Sequence, residues 1–284
     1  MKKESVLCEL MDNNKVRCLL CPHYCFLAKG QKGRCGVRQN QNGRLYSLIY
    51  GETTSVALDP IEKKPLNHFH PGSQILSLGT KGCNLKCPWC QNWSISQCLD
   101  SPTEKITCEE IIAQAKDLNS LGIAYTYNEP FIWYEFVYDT AQLAHQAGLK
   151  NVLVSNGYVN QKPLQEIIGL IDAMNIDIKS MDQSFYQKYC QGRLAPVLET
   201  AEFANKHCHL EITNLIIPTL NDQEKNFAEL ADWIAKQLGK DTPLHFSRYF
   251  PMYQTKIAPT PVETLNRAAE IAGKKLRYVY LGNV

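Results

Sequence analysis

Residues 74–90 read QILSLGTKGCNLKCPWC. The apolar run in residues 74–79 predicts a buried strand, because short apolar runs bounded by turn residues are typical of parallel sheets. Cys83, Cys87 and Cys90 follow it within one short loop. Three thiolates at this spacing can hold three irons of a four-iron, four-sulfur [4Fe-4S] cluster and leave the fourth iron without a protein ligand. The stretch therefore predicts a strand that leads directly into an iron–sulfur site.

A zinc knuckle is the main alternative for these three cysteines. Zinc sites usually have four protein ligands, and no fourth cysteine or histidine follows Cys90 at knuckle spacing. Cys98 stands eight residues further along the chain. The spacing therefore favours an iron–sulfur cluster over zinc, and also over three buried structural thiols.

Beyond this stretch, short strand patterns alternate with helical patterns. Strands are predicted at 74–79, 122–127, 151–155, 173–178, 210–217, 244–249 and 277–281, and helices at 107–119, 131–147, 163–170, 184–190, 196–207, 223–238 and 262–274. Thr107 and Glu110 are spaced for a capping box at the start of the first helix. The alternation predicts right-handed βαβ units and a parallel sheet. Six or seven such units are too few for a barrel of eight.

The spacing Cys-x3-Cys-x2-Cys, with Trp89 before the last cysteine, resembles the signature of the radical S-adenosylmethionine (SAM) enzymes. In that superfamily the open iron chelates the amino and carboxylate groups of SAM, and an electron from the cluster releases a 5′-deoxyadenosyl radical. The resemblance implies a [4Fe-4S] cluster and SAM as cofactors, and a place for Trp89 near the adenine. It also implies the α/β fold of a partial (β/α)6 TIM-like barrel, whose open side admits substrate.

A second motif follows the second predicted strand. Tyr127-Asn128-Glu129-Pro130 resembles the Gly-Gly-Glu-Pro motif that contacts the SAM amino group in this superfamily. Tyr127 and Asn128 replace the two glycines, whereas the carboxylate of Glu129 is kept and can form a charge-assisted hydrogen bond with an ammonium group. The alternative is a turn before a helix, with Glu129 near the positive helix end.

Two more candidate SAM contacts follow the third and fourth predicted strands. Ser155 and Asn156, and then Asp177 and Lys179, match turns that help to fix SAM in the pyruvate formate-lyase activating enzyme group. The resemblance assigns SAM binding to these four residues. Because side chains alternate along a strand, we expect Asp177 and Lys179 to point into the barrel. The alternative is a solvent-facing ion pair worth less than ~1 kcal/mol.

The sixth predicted strand gives weaker signals. His245, Ser247 and Arg248 lie on it among apolar residues. The guanidinium of Arg248 could bind a carboxylate or phosphate, or it could be a satisfied barrel residue. His68 is more typical of a hydrogen-bonded loop than of a catalytic group.

Four further cysteines, Cys18, Cys21, Cys25 and Cys35, lie in the first forty residues. They could close a tetrahedral zinc site or hold an auxiliary iron–sulfur cluster, and four unligated thiols are the alternative. We therefore expect a cysteine-rich extension with a second metal site over residues 1–72, and a barrel over residues 73–284. The remaining cysteines lack ligand spacing and are expected to pack as small apolar residues; they are Cys8, Cys98, Cys108, Cys190 and Cys208.

Composition narrows the classes of partner. The formal net charge of the 284 residues is +2, which argues against a nucleic-acid partner because no basic stripe is available to neutralise phosphates. No apolar run approaches the ~20 residues needed to cross a membrane, and no apolar core of a signal peptide follows the first lysines. We therefore expect a cytoplasmic protein, in which the twelve cysteines serve as metal ligands and free thiols.

Four stretches together resemble the AmmeMemoRadiSam system radical SAM enzymes, and they span residues 18–25, 59–66, 83–96 and 125–130. The resemblance implies hydrogen abstraction from an unidentified substrate, a small molecule or a protein, with electrons from a donor such as flavodoxin or ferredoxin. An activase that acts on a backbone glycine of a partner protein is the second hypothesis. A non-enzymatic iron–sulfur or zinc module is the third.

Overall fold

The computed structural model describes residues 2–284. Its centre is an eight-stranded sheet in which seven neighbouring strands run parallel. The first to seventh parallel strands are Gln74–Gly79, Gly122–Tyr125, Lys150–Ser155, Ala173–Asp177, His209–Ile216, Leu244–Arg248 and Val279–Gly282. They lie side by side in chain order. The predicted partial α/β barrel is confirmed.

One main helix connects each parallel strand to the next. These helices are Cys108–Asp117, Tyr134–Gln146, Gln161–Ile167, Leu194–Ala204, Glu224–Gln237 and Val262–Gly273. Short helices Trp93–Ser96 and Gln183–Phe185 lie in the first and fourth connections, and a π-helical turn, Tyr186–Cys190, follows the second of these. The predicted capping box is confirmed, since the Thr107 side chain accepts a hydrogen bond from Glu110 N at 3.2 Å and Thr107 N donates to the Glu110 carboxylate at 2.7 Å.

The N-terminal region is built from short antiparallel strands that the sequence patterns did not predict. Two three-stranded sheets contain Lys3–Glu4, Arg44–Ser47 and Arg38–Gln41 in one, and Cys8–Met11, Lys15–Cys18 and Phe26–Leu27 in the other. Glu52–Thr53 pairs with Glu104–Lys105. Short 3-10 turns occur at Asp12–Asn14, Ile61–Lys63, Pro130–Trp133 and Ile168–Leu170.

The barrel sheet starts earlier than expected. Strand Ser55–Pro60 pairs antiparallel with Gln74–Gly79 and forms the edge of the central sheet. A domain boundary between residues 72 and 73 would therefore separate two paired strands. Only the short 3-10 turn Ile61–Lys63 lies between them, so this hairpin lacks the alternation of strands with longer helices by which the other barrel strands were predicted.

A buried ion pair joins the N-terminal region to the barrel. Both guanidinium NH groups of Arg38 donate to the carboxylate of Glu135, at 2.9 and 2.6 Å. The side chains of Arg38 and Glu135 are only 1% and 8% exposed. Because charges this deeply buried need their partners, the pair ties the strand Arg38–Gln41 to the helix Tyr134–Gln146.

None of the helices described in residues 2–284 has the length and apolar character needed to cross a membrane. All twelve cysteines are free thiols.

Candidate active site

A cavity of about 730 Å³ opens at the carboxyl ends of the parallel strands. This volume is typical of small-molecule sites. Most of the side chains predicted to form the site line it together: Cys83, Cys87, Trp89, Cys90, Tyr127, Asn128, Asn156, Asp177 and Lys179. The loops that follow four different strands therefore meet at one site, as expected for a barrel.

The cysteine loop depends on a glycine at its start. Gly82 has φ +94, and a Cβ atom there would lie 2.8 Å from the carbonyl oxygen of Cys35. The Sγ atom of Cys83 accepts hydrogen bonds from Leu85 N at 3.4 Å and from Asn156 Nδ2 at 3.7 Å. Only glycine at position 82 allows the backbone of Cys35 to come this close. The N-terminal region therefore packs directly against the cysteine loop.

The thiols of this loop lose their protons less readily than an ordinary cysteine, because the pKa of each is raised. Burial raises the pKa of Cys83 and of Cys90. A hydrogen bond with Cys190, together with burial, holds the pKa of Cys87 well above its usual value. Binding iron as thiolates therefore requires each thiol to lose a proton. Three free thiols at the wall of one cavity nevertheless form a donor set that suits an iron–sulfur cluster.

Cys190 was expected to pack as a small apolar residue, and it is fully buried. Its contact with Cys87 was not predicted, because the two residues are far apart in sequence. The carbonyl oxygen of Cys190 also accepts a hydrogen bond from Lys86 N at 2.9 Å. The π-helical turn that ends at Cys190 therefore supports the cysteine loop.

Trp89 is 3% exposed and forms part of an aromatic wall. Its ring lies 5.3 Å from that of Phe185 and 5.8 Å from that of Tyr189, measured between centroids. An apolar wall of this kind can pack against a planar heterocycle.

Tyr127 has φ +70, a left-handed conformation that glycine adopts more easily. Its hydroxyl donates to the Asp59 carboxylate at 2.7 Å, and Lys64 Nζ lies 4.8 Å from its ring centroid. Lys64 Nζ also contacts Asp59 at 2.8 Å. Asp59 and Lys64 together therefore hold the Tyr127 ring at the cavity wall.

Asn128 connects the second-strand loop to the cysteine loop. Its side-chain oxygen accepts a hydrogen bond from Thr80 N at 3.2 Å, and its Nδ2 donates to Gly82 O at 2.8 Å. Its side chain therefore fixes the spacing between these two loops.

Glu129 and Ser155 lie behind the cavity wall rather than on it. Glu129 is 1% exposed, and its carboxylate accepts hydrogen bonds from Phe131 N at 3.0 Å, Ser155 Oγ at 2.9 Å and Asn156 N at 2.8 Å. Burial outweighs these hydrogen bonds and raises the pKa of Glu129 to about 7. The carboxylate therefore fixes the turn that presents Asn156 to the cavity.

Asp177 and Lys179 point into the cavity, as the alternation of side chains predicts. Ile176 and Ile178 between and beside them are fully buried. Lys179 Nζ lies 2.9 Å from the Asp177 carboxylate. Burial by itself would lower the pKa of Lys179, but Asp177 and neighbouring thiols raise it, so the ammonium keeps its charge. The pair offers a cation and an anion to a polar ligand.

Of the residues with weaker signals in the sequence, some line the cavity and others do not. His245 and Ser247 line the cavity. Arg248 does not, since its Nε donates to Thr260 O at 2.8 Å and its guanidinium lies 5.0 Å from the Phe250 ring. The structure thus favours the alternative in which Arg248 contacts other residues of the protein and does not bind a ligand. His68 bonds to the Tyr280 hydroxyl at 2.7 Å.

The four N-terminal cysteines lie near one another. A Cβ atom on Gly33 would lie 3.8 Å from the Sγ atoms of both Cys25 and Cys35. Burial and the proximity of Cys35, Cys18 and Cys25 raise the pKa of Cys21. Across residues 2–284, neither these four cysteines nor Cys83, Cys87 and Cys90 have side chains already arranged around a metal-ion position.

Comparisons with known proteins agree with this geometry. The model of the radical SAM superfamily matches residues 77–231. An uncharacterized protein of Methanocaldococcus jannaschii is 46% identical over 99% of this chain and 85% of its own length. The (2S)-3-sulfopropanediol dehydratase activating enzyme of Klebsiella oxytoca is 30% identical over 42% of this chain and 38% of its own length.

The fold has a counterpart of similar extent among solved structures. A radical SAM methyltransferase from Sphaerobacter thermophilus superposes with a TM-score of 0.57 and 12% identity, over 99% of this chain and 76% of that one. At this identity the likeness concerns the fold alone.

The chain belongs to the radical SAM superfamily. It is therefore an enzyme that uses a [4Fe-4S] cluster and SAM, which argues against the hypothesis of a non-enzymatic module.

Proposed function

We propose that this chain is a radical SAM enzyme of the AmmeMemoRadiSam type, in which Cys83, Cys87 and Cys90 hold the [4Fe-4S] cluster. The observation that carries the proposal is that three free thiols of one loop line a single cavity of about 730 Å³. When bound, the cluster and SAM supply the 5′-deoxyadenosyl radical by which this superfamily abstracts hydrogen. SAM binds in the same cavity.

The chain's own polar residues orient SAM. The carboxylate of Asp177 can accept hydrogen bonds from ribose hydroxyls, and the ammonium of Lys179 can pair with the SAM carboxylate. Asn128 and Asn156 add amide groups at the cavity wall, and Tyr127 and Trp89 supply apolar surface, with Trp89 next to the adenine. Glu129 and Ser155 contribute through the turn that carries Asn156.

A spectroscopic experiment tests this assignment. The cluster is reconstituted without oxygen and reduced, and its electron paramagnetic resonance spectrum is recorded with and without SAM. We expect SAM to change the spectrum of the wild type. A Cys83/Cys87/Cys90 triple alanine variant should bind no cluster at this loop, whereas Cys208→Ala should behave as wild type. A wild-type spectrum that does not respond to SAM would contradict the proposal.

The substrate is the least constrained part of the proposal. Our leading hypothesis is hydrogen abstraction from an unidentified substrate, with a flavodoxin or ferredoxin as electron donor. The second candidate is an activase for a glycyl-radical enzyme, and the similarity to an activating enzyme favours it. Deuterium transfer from a deuterated small molecule into 5′-deoxyadenosine would support the first hypothesis. A radical doublet on a co-expressed partner protein would support the second.

We further propose a second metal site at Cys18, Cys21, Cys25 and Cys35, holding zinc or an auxiliary iron–sulfur cluster. The clustering of these four thiols supports it. Its proximity to the cysteine loop is evident from the hydrogen bond between His23 Nε2 and Asn84 O, at 2.8 Å. Zinc, iron and sulfide contents of the triple alanine variant would distinguish the alternatives, because metal that remains must lie outside the cysteine loop.

A further inference from the structure

The floor of the active-site cavity carries a histidine that the mechanism above does not use. His245 and Tyr280 are register partners on the sixth and seventh strands, and both line the cavity. Ser247 lies two residues closer to the carboxyl end of the sixth strand and lines it too. Since a strand rises ~3.3 Å per residue, His245 lies ~7 Å deeper than Ser247. The cavity therefore extends well below its mouth.

A buried carboxylate fixes the ring of His245. Glu211 is fully buried and accepts hydrogen bonds from His245 Nε2 at 2.6 Å, His209 Nε2 at 2.9 Å, His68 N at 2.7 Å and Asn67 N at 3.0 Å. Burial alone would raise the pKa of Glu211, but these hydrogen bonds lower it to about 2. An ionised carboxylate can only accept, so Nε2 of His245 carries a proton.

The other ring nitrogen of His245 is available to a ligand. In the described part of the chain, residues 2–284, no hydrogen bond reaches its Nδ1. The ring stacks on Tyr280, with centroids 5.2 Å apart and planes 26° apart. A histidine oriented by a carboxylate through one nitrogen can exchange a proton or a hydrogen bond through the other.

Apart from the Glu211 carboxylate, which bonds to Nε2, the side chains that line the cavity next to His245 are polar and uncharged. Thr213 Oγ1 donates to Asn175 Oδ1 at 2.9 Å, and both residues line the cavity with Ser247. The charges of Asp177 and Lys179 compensate each other nearer the mouth. A hydroxyl group of a ligand can both donate and accept a hydrogen bond. It can therefore bond to these hydroxyl and amide side chains, and also to Nδ1 of His245 whether or not that nitrogen carries a proton.

We propose that the cavity floor is a substrate subsite in which His245 contacts a hydroxyl group of an uncharged small molecule. Glu211 is the positioning residue for His245. The inference rests on the proposed function, because it assigns the mouth of the cavity to the cluster and SAM. It favours a small hydroxylated substrate over the backbone glycine of a partner protein.

Glycerol serves as the probe, and acetate and methylammonium serve as charged controls. Binding to the anaerobic, cluster-loaded protein with SAM is measured by saturation-transfer nuclear magnetic resonance. His245→Gln keeps a donor for Glu211 but removes the ring nitrogen, so glycerol binding should weaken roughly fivefold to tenfold, as expected for one lost hydrogen bond. His209→Gln is the matched control, since His209 bonds the same carboxylate but does not line the cavity.

Equal weakening in both variants, no weakening in His245→Gln, or equally strong binding of a charged probe would overturn the proposal. If His245→Gln fails to fold, Ser247→Ala replaces it and should weaken glycerol binding to a similar extent. The role of Glu211 has its own readout in the nitrogen chemical shifts of His245. We expect Glu211→Gln to shift the His245 ring toward the Nδ1–H tautomer. An unchanged tautomer would mean that Glu211 supports the fold but does not orient His245.

The same sample separates this inference from the proposed function. A SAM-dependent change in the cluster spectrum of the wild type tests the proposed function alone. If that change occurs and glycerol does not bind, the subsite is wrong and the radical SAM assignment stands. If it does not occur, the assignment fails whatever glycerol does.

Discussion

Glu129 shows how far a single residue's role depends on its surroundings. Its motif resembles one whose carboxylate contacts SAM, yet its carboxylate is bonded to Phe131 N, Ser155 Oγ and Asn156 N. The spacing of Cys83, Cys87 and Cys90 predicts their common site, because all three lie on one loop. The partners of Glu129 could not be predicted in this way, since they depend on how the second and third strands pack.

We predict that Glu129→Gln weakens SAM binding about tenfold, because its amide NH₂ would face Asn156 N, a donor that now bonds to the carboxylate. A buried donor left without an acceptor costs about 1–3 kcal/mol. Titration of SAM into the reduced, cluster-loaded protein measures the effect. Glu109→Gln, at an exposed helical position, is the control. An unchanged SAM affinity in Glu129→Gln would show that the Asn156 turn does not contribute to binding.

Glu211 makes stability depend on pH. Its pKa falls from an ordinary value of 4.5 to about 2, so the folded state binds fewer protons than the unfolded state between these values. The stabilisation is complete above pH ~4.5 and is lost as the pH falls toward 2; it amounts to about 3 kcal/mol. Thermal unfolding from pH 3 to 7 should show a smaller loss on acidification for Glu211→Gln. Parallel curves for the two proteins would contradict this.

At the scale of elements, the strand–helix alternation predicts the barrel, because short stretches rich in apolar residues alternate with longer stretches that have one apolar face. The second strand ends at Tyr125 rather than at the predicted residue 127, since Tyr127 has φ +70. The N-terminal strands could not be predicted from the sequence. They are two to four residues long, which is too short to show a period.

The cysteine loop should tolerate no side chain at its first residue. We predict that Gly82→Ala lowers the iron and sulfide content of the reconstituted protein, because the added Cβ would lie 2.8 Å from Cys35 O at φ +94. Gly169→Ala is the matched control, with nothing within 4 Å of the added atom. Normal cluster content in Gly82→Ala would mean that the loop can move without losing its ligands.

At the scale of the whole molecule, the N-terminal region and the barrel form a shared interface beside the site. Asn160 N donates to Leu20 O at 3.0 Å, and Trp133 Nε1 donates to Ile49 O at 2.6 Å. The sequence indicates two cysteine-rich motifs, but it does not indicate that they pack against each other in the fold. That arrangement depends on contacts between residues far apart in the chain, which no local pattern records.

The buried ion pair should dominate this interface. We predict that Arg38→Met destabilises the protein by about 3–5 kcal/mol, because Glu135 would remain buried without its partner. Arg44→Met is the control, since Arg44 forms an exposed ion pair with Glu4 and exposed pairs contribute little to stability. Chemical unfolding of the cluster-free protein measures both. Similar losses in the two variants would contradict the importance of the buried pair.

The central claim is that Cys83, Cys87 and Cys90 support radical SAM chemistry. The most direct measurement is the amount of 5′-deoxyadenosine formed when the anaerobically reconstituted protein is given SAM and a strong reductant. We predict that the wild type and Cys208→Ala form it and that the triple alanine variant does not. Product formation by the triple alanine variant, or none from a fully loaded wild type, would contradict the account.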